Sequence, residues 1–91
     1  MNCKKCWVSG RVHGVFYRAT AAHRALELGV RGYARNLADG RVEVLACGDD
    51  EAVRAFVDWL WIGSSASKVT AVEVAEEHCD PAALPRGFLT G

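Results

Sequence analysis

The stretch GYARNLADGRVEVLACG, Gly32 to Gly48, decides the fold. Its second half, RVEVLAC, alternates: Val42, Val44 and Ala46 point one way and Glu43, Leu45 and Cys47 the other, the period-two pattern of a strand. Val30 to Asn36 reads as a shorter strand. Between them NLADGR is a turn, with Asp39-Gly40 supplying the positive φ of a tight reversal.

Working outward, each side of this pair carries a helical pattern. RATAAHRALELG, Arg18 to Gly29, is rich in Ala and Leu, with Ala22, Ala25 and Leu26 along one side and Gly29 as its stop. On the other side Asp49, Asp50 and Glu51 bring negative charge to a helix start, matching the helix dipole. Val53, Phe56, Val57 and Leu60 then follow at i, i+3, i+4 and i+7, and Gly63 with GSSAS ends the helix. Cys6 to Val12 and Lys68 to Ala75 alternate as outer strands, the second less cleanly. The tail CDPAALPRGFLTG holds both prolines and reads mostly as loop, with GFLT as a short final strand.

The element order is therefore β-α-β-β-α-β plus a tail. Right-handed crossovers put the third strand between the first and second, and the first between the third and fourth. The expectation is an α+β fold, a ferredoxin-like α/β sandwich with an antiparallel sheet and two helices on one face, in a single domain over residues 1–91. Such a fold hosts many activities and decides none of them.

Ninety-one residues suit one domain with one modest core. Eleven basic and eleven acidic residues cancel, which gives no electrostatic case for nucleic acid or an anionic membrane. No apolar run approaches the ~18 residues of a membrane span. MNCKKCWVSG has no long apolar segment after its lysines and does not read as a secretory signal. A cytoplasmic monomer is expected.

Function points to SGRVHGVFYR, Ser9 to Arg18. A loop entering a helix N-terminus leaves backbone N–H groups without intrahelical partners, and these converge on a phosphate-sized space. Gly14 lets the backbone turn there and lets a ligand approach closely. Arg18 adds a planar, permanently charged fork that grips two phosphate oxygens. The alternative is a tight strand-to-helix connection carrying a surface arginine. No cysteine, serine or carboxylate in the loop is an obvious nucleophile or base.

GRVHGVFYR resembles the first signature stretch of the acylphosphatases, and GYARNLADGRVEVLACG the second, with Gly32, Tyr33, Asn36, Gly40, Val42 and Gly48 at the family's spacing. The resemblance runs from about Cys3 to Val74. It implies hydrolysis of the carboxyl–phosphate bond of a small acyl phosphate to carboxylate and inorganic phosphate, with no cofactor and no metal. By position, Arg18 matches the phosphate-binding arginine and Asn36 the asparagine that holds the attacking water. The backbone amides of His13, Gly14, Val15, Phe16, Tyr17 and Arg18 match the phosphate cradle.

His13 departs from the family, which commonly has glutamine there. It is expected to be a loop side chain making a hydrogen bond that glutamine could also make, rather than a nucleophile or base. His23 and His78 have no partner at metal or triad spacing. Of Phe16 and Tyr17, Phe16 fits the core better, and Thr20 is expected to bond backbone. Trp59 and Trp61 flank Leu60 and cannot both face inward.

The competing class is a non-catalytic binding module, either anion-sensing or a thiol-based metal carrier using Cys3 and Cys6 of CKKC. In copper carriers of this fold, however, such a pair follows the first strand rather than beginning it. The start of the first strand lies beside the end of the third. That leaves Cys3–Cys47 as the candidate disulfide, with Cys6 turned toward the helices. A cysteine phosphatase needs its nucleophile about six positions from the arginine, whereas Cys6 and Arg18 are twelve apart along a strand.

Overall fold

The computed structural model describes residues 1–90. The chain runs β1 (Asn2–Arg11), α1 (Tyr17–Leu28), β2 (Arg31–Asn36), β3 (Val42–Gly48), α2 (Asp50–Ile62), β4 (Lys68–Glu76), a 3-10 turn (Pro81–Ala83) and β5 (Phe88–Thr90). The strands lie in the order β4-β1-β3-β2-β5. The first four pair antiparallel in the order that the crossovers predict.

The sheet as a whole is mixed, a correction to the antiparallel expectation. β5 lies parallel to β2, with Gly32, Tyr33 and Ala34 opposite Phe88, Leu89 and Thr90. The tail leaves β4 at the end where β2 begins, crosses the sheet, and must then run in β2's direction.

The main core lies between the sheet and its two helices. Cys6 and Val8 of β1, Val42, Val44 and Ala46 of β3, and Val53, Phe56 and Leu60 of α2 are all fully buried. The α2 pattern thus faces inward as its periodicity predicts. Phe56 stacks on Trp59 and meets Phe88 edge-on, at ring separations of 6.2 and 5.4 Å. Trp61, by contrast, faces solvent.

The α1 face is rotated from the sequence expectation. Tyr17, Ala21 and Ala25 are buried while Leu26 is 76% exposed. Tyr17 supplies the bulk at one end, and two alanines four residues apart let the helix sit close to the sheet.

β3 is buried on both faces, from Val42 to Cys47. Alternation reports one buried face; the second is covered by the tail over Leu45 and Cys47 and by Trp7, Tyr33 and Arg35 over Glu43. Arg31 ties the tail down by donating from Nε to the Pro85 carbonyl (2.8 Å) and from Nη2 to those of Leu84 (3.1 Å) and Pro81 (3.3 Å). Beneath it Cys3 and Cys47 form a disulfide, packed with Leu45 and flanked by Tyr33, Cys79 and Leu84. No helix among the described residues is long and apolar enough to cross a membrane.

Candidate active site

β1 and β2 are both antiparallel to β3 and so parallel to each other, and their C-terminal ends emerge at one edge of the sheet. The loop from Val12 to Phe16 continues β1 there and enters α1 at Tyr17. Asn36 ends β2 at the same edge, opposite Val42, which in turn faces Val8 of β1. A β-bulge at Ser9/Gly10 sets the direction of the exit. A Cβ at Gly10 would run into the Lys68 carbonyl, so only glycine fits against β4 there.

The loop twice adopts left-handed backbone, at Gly14 (φ 68°) and at Phe16 (φ 59°, ψ 22°). Phe16 is the one non-glycine residue of positive φ among the described residues. Holding a residue with a Cβ there costs on the order of 1–3 kcal/mol, so its surroundings must impose the conformation. It also inverts the expected packing. Phe16 is 81% exposed, whereas Tyr17 is 1% exposed and donates its hydroxyl to the Leu60 carbonyl at 2.7 Å. Burial pushes the Tyr17 phenol's pKa upward, so it remains a neutral donor.

Two hydroxyls define where the loop's amides point. Ser64 Oγ donates to the Val15 carbonyl at 2.7 Å. Thr20 Oγ1 donates to the Phe16 carbonyl at 2.8 Å, alongside the Thr20 backbone N–H at 3.0 Å. A trans peptide directs its C=O and the following N–H in opposite senses, and no peptide bond here is cis. Pinning those two carbonyls therefore aims the Phe16 and Tyr17 N–H groups away from the protein's own acceptors. No side chain caps α1, and its first turn holds no acid. The result is a concave set of donors at a helix N-terminus, suited to an anion.

Arg18, in the first turn of α1, forms no salt bridge among the described residues. His13 is exposed, and its Nε2 lies 3.0 Å from the Arg41 carbonyl, an interaction in which the imidazole N–H donates. That carbonyl also accepts the Leu37 N–H at 2.8 Å. The cradle loop and the segment just after Asn36 thus share one acceptor, which sets the loop and Asn36 side by side. A glutamine amide could donate the same bond as His13.

The hairpin carrying Asn36 is braced beneath the sheet by Glu43, which accepts from Tyr33 Oη (2.9 Å), Arg35 Nε (2.8 Å) and Trp7 Nε1 (3.3 Å). Burial raises the carboxyl's pKa. The bonds from Tyr33 and Arg35, Arg35's charge and the indole outweigh that, leaving it below its ordinary value. Two hollows, lined by Asn2, Lys4, Asp50, Glu51 and Val57 among others, lie at the opposite end of the sheet.

The CKKC pair does not converge on one point. Cys6 is fully buried on the helix face, its thiol pushed up to about 11 by burial, while Cys3 is bonded to Cys47 on the other face. Two sulfurs on opposite sides of one strand cannot hold a common ion. The roles of Ser64 and of the Arg41 carbonyl were not readable from the sequence, because each acts across a fold-dependent contact.

Comparison with known proteins bears on the family and the fold. The acylphosphatase family model matches residues 4–88. An acylphosphatase of Chromohalobacter salexigens is 58% identical over 80 residues, 88% of each chain. One from Xanthomonas campestris is 49% identical over the whole of both chains. The crystal structure of the Bacillus subtilis acylphosphatase superposes with a TM-score of 0.92 at 34% identity, covering 100% of this chain and 99% of that one. On the strength of the two signature stretches, the strand order and these likenesses, the chain belongs to the acylphosphatase family of enzymes.

Proposed function

We propose that the protein hydrolyses acyl phosphates to a carboxylate and inorganic phosphate, with the cradle of residues 13–18 and Arg18 holding the phosphoryl group and Asn36 orienting the attacking water. The observation that carries the reading is the pair of pinned carbonyls, Val15 by Ser64 and Phe16 by Thr20, which leaves successive N–H groups free beside an unpaired Arg18. Preorganised donors of this kind stabilise charge as it develops on a transferring phosphoryl group.

A carboxamide is an acceptor and a double donor, able to place a water but not to serve as a useful base. None is required. The carboxylate leaving group is already good, so positioning and charge stabilisation supply the catalysis, and a phosphate oxygen of the substrate accepts the water's proton. Neither metal nor cofactor enters this scheme. In the same reading the chain works as a single-domain, cytoplasmic monomer, and sedimentation in dilute buffer checks its oligomeric state.

The test is turnover of an aryl acyl phosphate in the presence of EDTA. Wild type is expected to be insensitive to the chelator. Arg18→Ala should lose at least ~10²-fold in kcat, the usual consequence of losing a preorganised oxyanion donor, and bind phosphate more weakly. Asn36→Ala should lower turnover while inorganic phosphate still binds. Near-wild-type turnover in either variant removes that residue from its role, and a wild type without turnover overturns the reading.

A further inference from the structure

Far from the cradle, on the face opposite the helices, three sulfurs converge. Those of Cys3, Cys47 and Cys79 lie within 4.8 Å of one another, although the residues are distant in sequence. Cys3 and Cys47 face each other across β1 and β3 and are joined, whereas Cys79 is a free, half-buried thiol.

Cys79 is held there from both sides. Two residues earlier, the Glu77 N–H donates to the Cys3 carbonyl at 3.1 Å. Shortly after it, the Pro81, Leu84 and Pro85 carbonyls are clamped by Arg31. Arg31 is also the cross-strand neighbour of Cys47, so the residue that clamps the tail starts from the same stretch of sheet as the cluster. The nearest carboxylate by sequence, Asp80, accepts the Ala82 N–H at 3.0 Å, and Glu77 is engaged by Lys5 at 3.4 Å.

We propose that in the reduced chain Cys3, Cys47 and Cys79 form a three-thiolate site for a sulfur-seeking d10 cation such as zinc(II) or cadmium(II). At a metal–sulfur distance of about 2.3 Å, tetrahedral ligands stand about 3.8 Å apart, so the required closure is a side-chain adjustment. Two of the thiols are at the sheet's surface layer and the third is on its cover, and the partial exposure of Cys79 gives the ion access. Three protein ligands leave a fourth position for water or an external thiol. Because the disulfide uses two of the same sulfurs, oxidation and cation binding exclude each other. Reduction by a phosphine or a dithiol adds two electrons and two protons to the Cys3–Cys47 bond; binding then releases the thiol protons. This set differs from the Cys3 and Cys6 pair that the CKKC spacing suggests, because Cys47 and Cys79 join Cys3 only through the fold.

The test is an anaerobic titration of the phosphine-reduced protein with cadmium(II), read as sulfur-to-metal charge-transfer absorption. One equivalent should bind with three-thiolate intensity, and the oxidised protein should give no band. Cys79→Ser should drop to the two-thiolate level, and Cys6→Ser should match wild type. Independently, in the reduced wild type cadmium should protect Cys79 from alkylation, followed by peptide mapping. Absence of the band in the reduced protein, full intensity in Cys79→Ser, reduced intensity in a folded Cys6→Ser, or unprotected Cys79 would each overturn the proposal.

Discussion

Replacing Ser64 with alanine removes the hydroxyl that holds the Val15 carbonyl and leaves every residue of the cradle itself intact. The bond is a single neutral one, 2.7 Å long and partly buried, with a net value of about 0.5–1.5 kcal/mol. At Tm that corresponds to a drop of roughly 4–8 °C per kcal/mol in a domain this small. The kinetic effect follows from the strain at Phe16, which the loop must overcome to present its N–H groups. Weakening the restraint by about 1 kcal/mol lowers the ratio of competent to relaxed loop roughly fivefold, at RT of about 0.6 kcal/mol. A fully misdirected donor would cost ~10²–10³. We expect kcat/KM for an aryl acyl phosphate to fall between those limits, with inhibition by inorganic phosphate weakening in parallel and the pH profile unmoved. Ser65→Ala, an exposed neighbour in the same loop, should behave as wild type. Lowered Tm with unchanged kinetics well below melting would show that Ser64 supports the fold but does not aim the cradle.

Glu43 gives a pH signature. Its folded pKa lies below its ordinary value, so its stabilisation is present above the unfolded pKa of about 4.3 and is lost as pH falls through the folded one. Wild type should therefore weaken on acidification below about pH 4.3, and Glu43→Gln should flatten that limb of a denaturation series; parallel limbs would refute the assignment. Arg31→Ala should cost about 1–3 kcal/mol and open residues 77–87 to limited proteolysis, because the tail loses its charged clamp. An unchanged cleavage pattern would show that the tail is held by packing alone.

Much of this molecule was legible because local chemistry and tertiary structure agree. Asp39 and Gly40 mark the hairpin, Gly29 and Gly63 stand at the helix ends, and the α2 stripe faces the core. Those features, with crossover handedness, place Arg18 and Asn36 at the same sheet edge. What stayed hidden depended on distant segments. The tail carries two prolines and pairs through only three residues, so nothing periodic announces that it covers Leu45 and Cys47. Phe16 is the more apolar of two adjacent aromatics, yet its left-handed backbone turns it outward and leaves Tyr17 to fill the space below the loop. A side chain's polarity cannot report a dihedral held by a threonine hydroxyl one turn on and a serine hydroxyl from a distant loop.

The two flanks of the sheet are finished differently. β5 screens part of β2, whereas β4 has no strand beyond it among the described residues and leaves a nine-residue border of backbone donors and acceptors facing outward. A bare rim of that length is a template on which further strands can be laid, and growth from it would proceed in one direction only. Lys68, Glu73 and Glu76 along that border, the last paired with Lys4, put charge of both signs where an incoming neutral strand would have to dock. A few ionic side chains on the outermost strand thus oppose edge-to-edge pairing of folded copies.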